Sequence, residues 1–284
     1  MAQIRTLCLP LQLLSTARYA AAPPVRGSSR PSGAGLNGVD IRLLWLLVAH
    51  ALHAPEGVVT IPQTTLTAAF GRIHPDRVVA ALDRLRGNDV FVGVNVMPAV
   101  VSHSRSGEGR EARTWRVKLD DRLIQVATQA LQANTQIDIP IAALKPLSSK
   151  YSVVLYGRFA AWKAREYPQD AAIGLLAHPQ GRAFEMDVPL DLLPRVFGLY
   201  DALRPSEIER LLVTSKATCP LKRELGLASV AVDTLPLFDE LSKSRLSRLH
   251  IRISDILTEG LADLNHAARH KNLRQSHWRN RQSA

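Results

Sequence analysis

The sequence predicts an α+β fold, mainly helical, in which one arrangement of elements occurs twice. Three observations carry that reading. Residues 41–53 (IRLLWLLVAHALH) are apolar almost all round, as a helix at the centre of a small domain is. Residues 91–101 (FVGVNVMPAVV) and 113–119 (RTWRVKL) alternate in polarity on either side of the polar stretch 102–110 (SHSRSGEGR), the pattern of a β-hairpin. After Asn134 a second strongly apolar helical segment, residues 149–166 (SKYSVVLYGRFAAWKARE), is again followed by short helical and strand-like runs.

In the first unit Asp40 is the expected N-cap of the central helix, and Pro55, Glu56 and Gly57 form a turn before a short β-prone run at 58–61. Residues 62–70 (PQTTLTAAF) read as a helix ending at Gly71. His74, Pro75 and Asp76 supply cap, first helical residue and dipole-compatible acid for a third helix. Its buried face carries Val78, Val79, Leu82 and Leu85, and Gly87 ends it. Three helices and a hairpin with a basic loop are the element order of a winged helix. Residues 120–133 would be a closing helix.

The second unit repeats the order more loosely. Residues 137–147 form an extended lead-in, and Tyr151, Leu155, Phe159 and Trp162 mark the core stripe of the long helix. A β-like run at 182–188 precedes a short helix at 189–197 that ends at Gly198. Ser206 and Glu209 then open a capping-box helix in the recognition position, which Pro220 kinks or ends and 221–225 resumes. Residues 248–253 (RLHIRI) alternate as a final wing strand, while 226–246 is poorly patterned.

These boundaries divide the chain into a basic flexible N-terminal arm (1–38), a first winged-helix domain (39–135), a second (136–253), and a C-terminal helix and basic tail (254–284). The length of 284 residues fits two domains of ~100–200 residues each. The first 25 residues mimic a secretory signal, but Pro10 interrupts the apolar run 7–14, and 23–38 (PPVRGSSRPSGAGLNG) is a linker composition. Two cysteines, Cys8 and Cys219, are too few for a disulfide scaffold, which points to a reducing, cytoplasmic setting. No apolar run reaches the ~18 residues of a membrane span.

Residues 146–162 (PLSSKYSVVLYGRFAAW) and 220–225 (PLKREL), placed in two successive winged-helix patterns, resemble the theta-type plasmid replication initiators that bind iterons. In that family a similar segment opens the second winged-helix domain, and a motif around a Pro and a Glu-Leu pair closes its recognition helix. The resemblance implies that the second domain reads iteron direct repeats in the major groove. It implies that the first contacts flanking DNA and supplies a homodimer interface. Dimers would repress their own promoter, whereas monomers would start replication with a recruited host helicase.

A net charge of +11 suits a phosphate-rich partner, although the excess is spread: four Arg and no acid in 1–38, then net +2, +3 and +2 along the three following segments. In the second domain Ser206, Arg210, Thr214 and Ala217 share one side of a helix opposite Ile208, Leu211 and Leu212, and form the expected base-reading face. Lys216, Lys222 and Arg223 would add phosphate contacts. In the first domain Arg77 and Arg84 flank the small Ala81 on one face, with Asp76 and Asp83 beside them as competing intrahelical partners. Arg105, Arg110, Arg113, Arg116 and Lys118 cluster in the hairpin against only Glu108 and Glu111, where a wing can follow phosphates. The tail 266–284 adds cations around Trp278.

Catalytic signatures are absent from the sequence: no phosphate loop, no GxGxxG, no HExxH, no GxSxG and no His-x-His. His266 and His270 are spaced for one metal but lack a third ligand, so no metal or cofactor is expected. A DNA-binding initiator is the leading expectation. A winged-helix transcription repressor without a replication role and a protein-interaction adaptor are the alternatives.

Overall fold

The structure is a computed structural model that describes residues 5–19, 36–52, 54–93, 95–106, 114–164, 175–177, 183–199, 220–238 and 246–256. Among these the fold is α+β. The first departure from expectation is at the start of the chain, where residues 5–19 are an integral part of the core and not a free arm. Strand β1 (Thr6–Pro10) is followed by helix α1 (Leu11–Thr16) and strand β2 (Arg18–Tyr19). Leu7, Leu9, Leu13 and Leu14 are all buried, each burial contributing about 1.5–3 kcal/mol. The run that resembles a signal sequence is apolar because it fills the core.

Helix α2 (Gly38–Ala51) is buried on nearly every side, as its all-round apolar sequence requires. Its N-cap is Asn37, with Asp40 three residues on. The Asn37 side chain accepts from the N–H groups of Val39 and Asp40, and the Asp40 carboxylate accepts from Asn37 N–H at 2.8 Å. Asp40 is thus the second half of a capping box, not the cap itself. Strand β3 (Val58–Pro62), helix α3 (Gln63–Phe70) and helix α4 (Pro75–Gly87) follow as expected, α4 capped by the His74 ring.

The single strand expected at 91–101 is instead three pieces. Strands β4 (Asp89–Val92) and β5 (Asn95–Pro98) form a tight hairpin, turning at Gly93 with φ of 63°, and β6 (Val100–Ser106) starts a second pairing. Strand β7 (Thr114–Leu119) lies between β3 and β6, and β4 lies between β2 and β5. Helix α5 (Asp121–Gln132), capped by Asp120, closes the unit.

Strand β8 (Gln136–Pro140) pairs antiparallel with β1, Cys8 opposite Asp138. After the short α6 (Ile141–Leu144) comes α7 (Lys150–Ala164), whose Leu155, Phe159 and Trp162 are buried as predicted, with Tyr151 partly so. Strands β9 (Leu175–Ala177) and β10 (Ala183–Pro189), helix α8 (Leu193–Val196), helix α9 (Pro220–Leu227) and strands β11 (Val230–Phe238) and β12 (Leu246–Asp255) complete the described chain. Their sheet runs β11-β12-β10-β9. Pro220 is the first residue of α9, where its missing N–H is harmless, and 221–225 are helical as expected; the helix expected before Pro220 lies outside the described residues.

The two helical centres pack directly on one another. Gly157 of α7 makes this contact: a side chain there would come within 2.6 Å of Trp45 Cη2. Arg158, also buried, donates to the carbonyls of Leu14 (3.0 Å) and Ala17 (2.7 Å), satisfying acceptors at the end of α1. Trp45 Nε1 donates to the Tyr19 hydroxyl at 3.2 Å. The N-terminal segment is therefore held by both units.

Candidate nucleic-acid interface

Helix α4, where the sequence places the recognition helix of the first unit, follows α2 and α3 and precedes the hairpin strands. Arg77 is exposed near its N-terminus. Ala81 is fully buried, so it seats the helix on the core and cannot be the small residue of a DNA-facing side. Arg84, expected at DNA, is committed elsewhere. Its Nε and Nη2 donate to the two Asp40 carboxylate oxygens, both at 2.8 Å, and the Asp40 side chain has no exposure. That hydrogen bond holds the Arg84 guanidinium pKa above its ordinary value. A fork-shaped pair to a buried acid is a structural bond between α4 and α2.

The neighbouring acids are also engaged, though not within α4 as expected. Asp83 lies 2.9 Å from His103 Nε2 of β6, tying helix to hairpin, and Asp76 faces the capping His74 ring at 3.2 Å. The DNA-facing potential of α4 therefore reduces to Arg77 and Arg86, both exposed, at opposite ends.

The hairpin is the stronger basic element. In β7, Trp115, Val117 and Leu119 point inward and Arg116 and Lys118 outward, a strict period of two. Register places Thr60 of β3 and Ser104 of β6 beside Arg116, and Val58 and Ser102 beside Lys118. That outer face holds two cations and three hydroxyls, with no acid among these positions. Arg105 sits opposite Trp115 in the ladder, its guanidinium carbon 5.8 Å from the indole centroid, while Trp115 Nε1 donates to Gln63 Oε1 at 3.0 Å. Arg105 is thus exposed yet braced against a fixed ring. Arg110 and Arg113 lie outside the described residues.

In the second unit Ser206, Arg210, Thr214 and Lys216 also lie outside the described residues. Lys222 lies 3.8 Å from Asp233 of β11, and Arg223 is exposed on α9. Two side-chain pairs lie across β10 and β12: His250 Nδ1 to Asp187 at 2.6 Å, and the buried Arg252, its Nε 3.4 Å from Glu185. These pairs lie directly opposite one another in the β10–β12 register.

One buried polar cluster was not visible in the sequence. Glu224 of α9 accepts from the N–H groups of Ser148 (3.0 Å) and Ser149 (2.9 Å) and from the Ser148 hydroxyl. Ser149 in turn caps α7, its hydroxyl accepting from Tyr151 N–H at 3.3 Å. Across the seam, Arg42 of α2 donates to the carbonyls of Gly38 (3.2 Å) and Leu144 (2.9 Å) and lies over the Phe70 ring. Burial pulls the Arg42 pKa down to about 10, against the opposing pull of the Glu224 carboxylate. The two segments that carry the family resemblance, 146–162 and 220–225, are therefore joined by hydrogen bonds.

Among the described residues no group of His, Cys, Asp and Glu could hold a metal, and no helix is long and apolar enough to cross a membrane. The fold is similar to the crystal structure of the Pi initiator protein in complex with iteron DNA, with a TM-score of 0.53 and 13% identity over 90% of this chain and 99% of that one. No protein-family model matches the sequence, and no curated protein matches it.

Proposed function

We propose that this protein is a sequence-specific double-stranded DNA-binding initiator of plasmid-type replication, acting at iteron direct repeats through two tandem winged-helix units. The observation that carries this reading is the fold likeness, which runs through both units to an initiator bound to iteron DNA. The exposed cations of the hairpin, Arg105 and Arg116, support it as phosphate anchors of the first unit.

In this reading the helix expected at Ser206, Arg210 and Thr214 supplies base readout, with Lys216 and Arg223 at phosphates. Binding strains a neighbouring AT-rich segment, and a host helicase loads on the melted strands. The protein itself catalyses nothing, needs no cofactor and works in the cytoplasm. A homodimer formed through the first unit represses its own promoter.

Nuclease footprinting on DNA flanking its own gene, against random competitor and across a salt series, tests the proposal. Protection of evenly spaced direct repeats is the expected result. One inverted repeat over a promoter would make the protein a repressor without a replication role. No protection at any salt would transfer the fold to a protein-interaction adaptor.

A further inference from the structure

We propose that a strip of phosphate-binding cations crosses the seam between the two units, formed by Arg72, Lys145, Lys150 and Arg223. The inference rests on the reading that both units engage one duplex, and adds a site neither unit makes alone. Arg72 sits in the turn between α3 and α4, three residues before the helix in the recognition position. Lys145 ends α6 and reaches back to that turn: a side chain on Gly71 would lie 3.6 Å from Lys145 Cε. Lys150 opens α7, and Arg223 lies on α9 beside Glu224.

The backbone beneath these cations is fixed from both units. Glu224 holds Ser148 and Ser149 through three hydrogen bonds. Arg42 holds the Leu144 and Lys145 carbonyls. Gly38 at the start of α2 packs so closely on Ser148 that any side chain there would overlap the Ser148 carbonyl. The chain from 144 to 149 therefore cannot move without disturbing α2, α7 and α9 together.

Charge balance separates this strip from an ordinary solvated surface. Among the described residues the only acid bonded to this loop is Glu224, which is buried, lies close enough to Arg42 to raise its pKa and has its acceptors taken by the serines. Arg72, Lys145 and Arg223 are exposed and Lys150 partly so, and none of the four is ion-paired with a described residue. Three neighbouring cations are engaged, Arg42 with carbonyls, Arg84 with Asp40 and Lys222 near Asp233, while Lys150 Nζ lies 5.1 Å from the Tyr151 ring centroid, a contact that leaves its charge unneutralised. The buried acids Asp40 and Glu224 lie beside Arg84 and Arg42, whereas the four cations of the strip have no described acid against them.

A duplex laid along this strip would present about one phosphate charge per 1.7 Å of its axis to these cations. Lysines on a backbone already held in place lose less freedom on meeting phosphates than those on a loose loop.

The test is the salt dependence of binding by the full chain to two duplexes, the footprinted repeat and a random 40-mer, for wild type, Lys145→Gln/Lys150→Gln and Lys145→Arg/Lys150→Arg. The expected result is a Gln variant whose log K against log salt slope is shallower by about 1.8 on both duplexes, with an unchanged thermal midpoint and preference ratio, and an Arg variant that matches wild type. An unchanged slope in the Gln variant, while Arg105→Ala flattens it, overturns the seam site and leaves the initiator reading standing. Wild type that binds neither duplex overturns both. A Gln variant that binds DNA normally but loses an acidic protein partner would reassign the strip to protein contact.

Discussion

Glu224 and Ser148, 76 residues apart, are joined twice: the carboxylate accepts from the serine N–H at 3.0 Å and from its hydroxyl. Because Ser149 N–H adds a third bond at 2.9 Å, a buried carboxylate sits over the start of α7 where the helix dipole favours negative charge. Replacing Glu224 with Ala leaves the serine donors without their acceptor and the buried Arg42 without a nearby opposite charge. Glu224→Ala should cost about 3 kcal/mol in urea unfolding, and Ser148→Ala about 1 kcal/mol. A Glu224→Ala midpoint equal to wild type would show that water replaces the carboxylate at no cost.

Arg84→Ala separates structure from DNA contact. Loss of the guanidinium strands the fully buried Asp40 carboxylate, so stability should fall by about 3–5 kcal/mol. Under conditions where the variant is folded, its salt slope for DNA should equal that of wild type. A slope flattened by about 0.9 would return Arg84 to the phosphate-contact set.

Arg105→Ala should weaken specific and random DNA alike and flatten the slope by about 0.9. The same change removes the cation from above Trp115, so the intrinsic fluorescence of the free protein should shift as well. A fluorescence shift with an unaltered slope would make Arg105 a brace for the indole only.

Tyr19 gives a pH signature. Burial pushes its phenol up to about 12 from an ordinary value near 10, against the lowering effects of the Trp45 hydrogen bond and of Arg158. The folded state therefore holds this proton more tightly than the unfolded chain. Its contribution is complete below pH 10 and is lost as pH rises through about 12, amounting to about 2–3 kcal/mol. Arg42, pulled down, has the opposite slope at high pH, but it is common to both proteins and drops out of their difference. Tyr19→Phe should narrow its stability gap from wild type as pH climbs from 10 to 12. A gap constant with pH would mean that the phenol already ionises normally in the fold.

Deleting residues 1–19 tests the role of the N-terminal segment. Four buried leucines, a strand partner for β8 and the carbonyl acceptors of Arg158 leave together. The lost burial alone exceeds about 6 kcal/mol, comparable with the whole stability of an ordinary domain. The truncated chain should show no cooperative thermal transition by circular dichroism. A sharp melt near the wild-type midpoint would restore the free-arm reading.

What the sequence determined by itself was whatever depends on neighbours a few residues away. Periodicity located α2, α4, α5 and α7, the alternation at 114–119 oriented Arg116 and Lys118 outward, and the sequence His74-Pro75 marked the start of α4. Strand β11 escaped notice because Pro236 and the run around it break the alternation. The sheet tolerates the proline there because β11 is an edge strand.

Tertiary structure alone decided the partners. Arg84 reads as a surface cation until Asp40, 44 residues earlier, is brought against it. Glu224 reads as one acid in a basic helix until Ser148 arrives. The first thirty-eight residues combine an apolar run with a linker, and nothing local says whether that run is exported, free or enclosed. Strand β8 and Arg158, more than a hundred residues away, enclose it. Buried charges and unpaired strand edges must find partners or pay desolvation, and the sequence does not state which distant group will supply them.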